Sequence, residues 1–404
     1  MALSPLAPDP DADAEPRELP ERPAGRWRRW RPARWKPVLG KILLGLLAAT
    51  TLFLTATPMG RYISRAGWEE AQILRARRPI PELVADPRTP APVREKLRLV
   101  LDARVFAADS VGLRVKESFT QYTQLEHDTL VLVLSGAYRD RLKSYTWWFP
   151  VVGRVPYKGY FDYEQAKRAR DRLKADGYDV YLRPASAFST LGWFNDPLLS
   201  TTLREDSLDL ANTVIHEVTH NTFYAKGQAI FNESFANFVG ARGAAWFFRA
   251  RGQPQAADEV EARWQDEKLM ARFWERLYHS VDSAYGAWPL DSTARRIEAR
   301  DSVYARARVA LVHELGPQLK TIGPRTLERM RLDNAALMAR RIYLTDLDLF
   351  DRVWAKEGRD LKRAMARITE LARDQRKPFD ALRTYLGEPI PVEPDSSRGE
   401  ASSD

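Results

Sequence analysis

The chain contains no cysteine and only five histidines among its 404 residues. Without cysteine there can be no disulfide framework, thiolate catalysis, cysteine-based zinc site or lipid-modified N-terminal cysteine. The compartment is left open. Acidic residues are missing from one stretch: RPAGRWRRWRPARWK, from Arg22 to Lys36, holds seven basic residues and no Asp or Glu. Most of the net charge of +9 therefore sits in a short arm, and the remainder of the chain is near balance. A nucleic-acid-binding body would carry its basic face on the folded part, so no nucleic-acid partner is expected.

Charge of either sign is absent again over the nineteen residues Ile42 to Gly60, ILLGLLAATTLFLTATPMG. As a helix this run would reach about 28 Å, close to the hydrocarbon thickness of a bilayer. Trp27, Trp30 and Trp35 lie among the arginines before it, as in an interfacial aromatic belt whose positive flank stays on the cytoplasmic side. The expected organisation follows. Residues 1–37 form a disordered basic cytoplasmic arm and 38–60 a transmembrane signal-anchor whose partner is the lipid bilayer. Residues 61–388 form the folded domain on the far side, and 389–404 a disordered polar tail. A cleaved and secreted form is the alternative, since TATPM carries small residues.

What is present in quantity is apolar and aromatic, 44% hydrophobic with 12 Trp, 15 Tyr and 16 Phe, enough for a sizeable core. From Arg61 to Gln124 apolar residues recur at three-four spacing, a helical pattern. TLVLVLSG (129–136), YTWWFPVVG (145–153) and YDVYLRP (178–184) read as strands. Between the last two, Asp162 with Gln165 three residues on marks the start of a helix over Tyr163–Ala175, and Gly177 marks its end. After Gly240 nearly everything to Leu386 reads as long amphipathic helix. The fold class expected is α+β, mostly helical, with a small sheet ahead of the central motif and a helical C-terminal half.

The central motif is VIHEVTHNTFYAKGQAIFNESFANFVG, Val214 to Gly240. His216 and His220 are four apart and project from one face of a helix expected over Leu208–Phe223. Glu217 is offset by one residue, placed to reach a metal-bound water rather than the metal. This H-E-x-x-H spacing suits zinc, because two neutral imidazoles leave room for a third ligand and a water. Leu210, Val214, Ile215 and Val218 stripe the same helix, and burying such ionisable groups beside a core without a metal would be costly. Glu233 is the expected third ligand, one ion per chain, on a helix capped at Asn232 after a turn at Gly227. Asn237, one turn on, is a candidate to steady a ligand imidazole. Candidate oxyanion donors are Tyr157, Tyr160 and Tyr224.

HEVTH followed by NESFA is similar to the gluzincin arrangement, in which H-E-x-x-H is completed by the glutamate of N-E-x-x-A. More narrowly, RRPIPEL, FPVVGRVPYKGYF and GYDVYLRPASAFSTLGWFNDPLL together with this core resemble a bacterial family of zinc aminopeptidases. The likeness covers Arg61 to Trp246 well and the later helices loosely. It implies a zincin-like catalytic core, His216, His220 and Glu233 as zinc ligands, Glu217 as general base, and a peptide substrate. With the anchor, it implies a single-pass protein of a bacterial inner membrane with its catalytic domain in the periplasm. Two departures stand out: there is no lipidation cysteine, and the gap between HEVTH and Glu233 is short. Ala185 to Pro197 is a candidate edge strand for pairing with extended peptide, and Glu205, Asp206 and several C-terminal acids are candidate anchors for a substrate amine, among which the sequence does not choose. The rival readings are a non-catalytic tethered protein with a structural zinc site, and a zinc hydrolase of a non-peptide amide.

Overall fold

A computed structural model describes residues 35–125, 131–149, 153–185, 197–342 and 344–391. The arm before residue 35, the tail after 391, and residues 186–196 of the expected edge strand lie outside the described residues. The chain divides into two units, Met1–Arg61 and Tyr62–Asp404.

In the first unit, α1 (Trp35–Ala56) takes up the uncharged run only as far as Ala56; the run's last four residues, Thr57 to Gly60, fall beyond that helix. Its stretch Leu39–Ala56 has a mean hydropathy of 1.8 and is long and apolar enough to cross a membrane. Leu44, Leu47 and Leu52 are more than 60% exposed, so no protein core explains their apolarity. α2 (Pro58–Arg75), most of whose residues belong to the second unit, has proline at its first position, where the missing N–H costs nothing.

The second unit is mostly helical with small sheets. Arg61–Gln124 is less uniformly helical than its periodicity suggests. β1 (Arg78–Pro79) precedes α3 (Ile80–Ala85) and α4 (Ala91–Phe106), and β2 (Gln121–Thr123) returns to pair with β1. Prolines at 79 and 81 interrupt the helical pattern there. β3 (Val131–Ala137) is the middle of a three-stranded sheet. In YTWWFPVVG, β4 (Trp147–Phe149) ends ahead of Pro150, and β5 (Gly153–Val155) pairs with it antiparallel, Gly153 taking a positive φ of 74°. β6 (Tyr157–Tyr160) and β7 (Asp179–Ala185) flank β3 antiparallel on either side, with Val133 opposite both Gly159 and Arg183.

α5 (Tyr163–Ala175) starts and ends as its signals predict. Asp162 accepts a hydrogen bond from the Gln165 amide at 2.6 Å, and Gly177 has φ 85°. Its Leu173 packs with Leu134 and Val180 of the sheet. β8 (Leu198–Leu199) then joins β2 in parallel, just ahead of the histidine helix.

α6 (Ser207–Thr222), α7 (Ala229–Ala250) and α8 (Pro254–Gly286) form the centre. α9 (Thr293–Val309), α10 (Pro324–Arg329), α11 (Asn334–Arg341), α12 (Leu347–Lys356), α13 (Leu361–Ala372) and α14 (Pro378–Leu386) complete the helical C-terminal half. One core cluster joins α3, α4, α6, α7 and the start of α8 to α12, α13 and α14 around Phe231, Phe235, Phe238 and Phe350. A second gathers the far half of α8 with α9, α10 and α11 around Trp274. At about 1.5 Å per residue, the 33 residues of α8 span roughly 50 Å and belong to both.

A buried ionic hub fixes α7, α8 and α12 together. Asp351 accepts from Arg242 Nη2 at 2.6 Å, Lys268 Nζ at 2.6 Å and Trp264 Nε1 at 2.9 Å, while Arg242 also bonds Glu261. Buried charges are tolerated only when paired in this way.

Candidate metal centre

The site is built on the contact between α6 and α7, and glycine sets its closeness. A Cβ on Gly240 would stand 2.3 Å from Asn212 Oδ1, 3.1 Å from the Asn212 carbonyl and 3.2 Å from His216 Cβ. A Cβ on Gly243 would stand 2.9 Å from Ile215 Cγ2. The motif GARG thus lets α6 lie almost backbone-to-backbone on α7. Asp206 caps α6, accepting from the amides of Leu208 and Asp209 at 2.9 Å each. Leu210, Val214, Ile215 and Val218 bury the apolar stripe as its spacing predicts.

α7 begins at Ala229 rather than at Asn232. Gly227 makes the expected turn with φ 76°. Asn232 is not a cap: it is buried within the first turns of α7, and its amide clasps the Ala225 N–H and C=O, each at 2.8 Å. This clasp holds the short connection between α6 and α7 in place, which explains how so small a gap still brings Glu233 to the histidines.

His216 Nε2 lies 3.5 Å from Glu233 Oε2, and His220 Nε2 lies 3.7 Å from Glu233 Oε1. Donor atoms of the three residues fall within 4.8 Å of one another. The imidazoles meet edge to face at 5.1 Å. A tetrahedral ion about 2.1 Å from each donor would hold those donors about 3.4 Å apart, so the donor set and its spacing fit zinc. Glu217 stays out of this group. It is exposed and, among the described residues, has neither ion pair nor hydrogen bond.

The electrostatics are those of a clustered, half-buried site. Burial opposes the charge on His216, but Glu233, Glu217 and Glu267 outweigh it and raise its pKa. His220 is lowered, first by burial and then by its neighbour His216. Burial would raise Glu233, yet hydrogen bonding to His216 and the charges of both imidazoles bring it below the ordinary carboxylate value.

The tyrosines separate. Tyr224 is exposed at the rim, its ring 6.3 Å from that of His220. Tyr160 packs against the sheet cluster of Leu134, Leu173 and Val180, and Tyr157 is exposed on the same strand. Asn237 lies on the wall of a cavity one turn past Glu233. Asp206 is occupied by its cap and by Arg263 at 2.8 Å. Glu205 accepts from Thr213 Oγ1 at 2.8 Å and is raised, by burial first and by Asp209, Asp206 and Glu217 after it.

Glu267 on α8 belongs to no motif, yet its charge acts on His216 and it shares a cavity wall with Asn237. Burial pushes its carboxyl up to about 7, with His216 pulling against that rise. The signal was in the sequence. Val260, Trp264, Ala271 and Trp274 make a buried helical stripe, and Glu267 falls within it.

The chain is mostly helical with small sheets, and among its described residues two imidazoles and a carboxylate converge in a group able to hold a metal ion. The family model described as "Putative aminopeptidase" matches residues 61–381, and the chain belongs to that family. Membership points to peptidase chemistry. No curated protein and no solved structure matches the chain.

Proposed function

We propose that this protein is a membrane-anchored zinc peptidase of gluzincin type, with a zincin-like core, acting on peptides as an aminopeptidase. The observation that carries the reading is the convergence of His216, His220 and Glu233 within 4.8 Å, with Glu217 exposed and unpaired beside them. His216, His220 and Glu233 would hold the ion. A zinc ion supplies Lewis acidity there, polarising a peptide carbonyl and making water acidic enough to react near neutral pH.

The chain's own residues supply the rest. Glu217, offset by one position from the ligand pair, takes a proton from the attacking water and returns it to the departing amine. Among the described residues it has no hydrogen-bond or ion-pair partner, which leaves its oxygens available for that exchange. Tyr224, standing against His220, is the donor best placed to steady a developing oxyanion. Asn237 belongs to the supporting layer around Glu233. A purely structural zinc site would be closed by a fourth protein ligand. Among the described residues only three His or acidic side chains converge here, which favours the catalytic reading.

The anchor is α1. About 27 Å of apolar helix, with its leucines exposed, suits a bilayer core. The arginine-rich arm would then stay cytoplasmic and the second unit lie in the bacterial periplasm.

The test is purified full-length protein assayed on peptides with and without chelator, beside Glu217→Gln. We expect chelation to abolish hydrolysis and Glu217→Gln to keep the metal while losing about 100- to 10,000-fold in turnover. Undiminished turnover in Glu217→Gln would remove Glu217 from its role. Membrane extraction with carbonate should leave the protein in the pellet; release into the supernatant would overturn the anchor.

A further inference from the structure

Next to Asn237, one turn past Glu233, is a cavity of about 300 Å³ whose wall carries charges of both signs that, among the described residues, lack charged partners. Arg183 of β7, Asn237 of α7, Glu267 of α8 and Arg340 of α11 contribute to its wall. Other buried charges in the fold are satisfied: Asp179 pairs with Arg300, Asp351 pairs with Arg242 and Lys268, and Asp266 accepts from the Lys320 and Thr321 amides. Here they are not. Among the described residues Glu267 has no ion pair or hydrogen bond, and neither Arg183 nor Arg340 has a carboxylate partner. The Nε of Arg340 is buried with no hydrogen-bond partner, while its guanidinium is held over Trp274 at 5.3 Å.

Leaving three charges half-buried and unpaired around one space is unfavourable unless something else satisfies them. Glu267 and the two arginines do not pair with each other, so a ligand satisfying all three must carry an ammonium and a carboxylate held apart. The volume is at the small end for ligand cavities, which limits such a zwitterion to a few residues. The location is also specific. Asn237 is one turn beyond the ligand Glu233, and the charge of Glu267 acts on His216.

We propose that this cavity is the substrate subsite and selects short peptides unblocked at both ends, with Glu267 receiving the N-terminal ammonium and Arg183 and Arg340 the C-terminal carboxylate. The proposal rests on the peptidase reading above and names its substrate class. Planar guanidinium pairs suit carboxylate recognition. A longer polypeptide would place its carboxylate far outside this space.

The test is a cycle of peptide end groups against side chains, read by calorimetry on zinc-loaded full-length Glu217→Gln protein so that ligand is not consumed. The probes are trialanine, its N-acetyl form and its C-terminal amide. We expect each modification to weaken binding about 10- to 100-fold. Adding Glu267→Gln should erase the cost of acetylation but keep that of amidation, and adding Arg340→Met should do the reverse. Equal binding of all three probes overturns the proposal without any pocket substitution, and so does an acetylation cost that Glu267→Gln leaves unchanged. Chelator-sensitive hydrolysis by the wild type, alongside binding that ignores both ends, would sink the subsite and leave the peptidase reading standing. End-group-dependent binding with no hydrolysis of any peptide would support the subsite and sink the peptidase reading.

Discussion

Gly240→Ala tests whether the closeness of α6 and α7 makes the site. The added methyl would sit 2.3 Å from Asn212 Oδ1, which can rotate away, although that oxygen is already buried without a partner. It would also sit 3.1 Å from the Asn212 carbonyl and 3.2 Å from His216 Cβ, and these cannot rotate. The helices must part by a few tenths of an ångström, moving the histidines relative to Glu233. Overpacking of this kind costs about 1–3 kcal/mol, and alanine's better helix propensity returns up to about 1 kcal/mol. A net loss of about 1–2 kcal/mol is expected in urea unfolding of the metal-free protein. Because the donors themselves are displaced, zinc affinity should fall about tenfold or more. Gly286→Ala is the matched control, since nothing lies within 4 Å of its new methyl; it should be neutral or mildly stabilising. A Gly240→Ala protein as stable as wild type, with unchanged zinc affinity, would refute the close-contact account.

Other outcomes follow from the same structure. Glu267→Gln should change the pH dependence of stability in metal-free protein. Between 4.5 and about 7 the folded wild type keeps a proton on Glu267 that the unfolded chain has released, so the wild type weakens relative to the variant as pH rises through that window. The gap should approach about 3 kcal/mol, and a gap that does not grow with pH would contradict the burial of Glu267. Arg242→Met should cost about 1–3 kcal/mol in denaturant unfolding by taking its charged hydrogen bonds from Asp351, which keeps Lys268, and from Glu261, whereas unchanged stability would show that arm of the hub to be dispensable. Asn232→Ala should release the Ala225 clasp and cost about 1–3 kcal/mol together with part of the zinc affinity. Unchanged affinity would show that the connection needs no such support.

Much of this architecture was legible because local signals agreed with the final packing. The stripe of Leu210, Val214, Ile215 and Val218 is buried as its period predicts, and Asp162 and Gly177 bound α5 through side-chain capping and a positive φ. The nearness of His216 and His220 needed only the helical repeat. The reading failed where a residue's preference was overruled by a distant contact. Asn232 looks like a cap but serves Ala225, so α7 starts earlier than expected. Arg78–Pro79 becomes a strand because Gln121 and Tyr122 come back to pair with it, a contact no local window contains. Gly240 and Gly243 stand inside a helix, where glycine is normally a cost, and only the approach of Asn212 and Ile215 explains them. Glu267 is visible in the sequence as a charge within the apolar stripe of α8, but the groups it shares a cavity with, on β7 and α11, come from far along the chain.

The most direct measurement is the zinc content of purified protein, by plasma emission, for wild type and for His216→Ala, His220→Ala and Glu233→Ala. About one ion per wild-type chain, lost from each variant with the helical circular dichroism retained, is the predicted result. A folded wild type that hydrolyses peptides without bound metal would contradict it, as would three variants that bind zinc as the parent does.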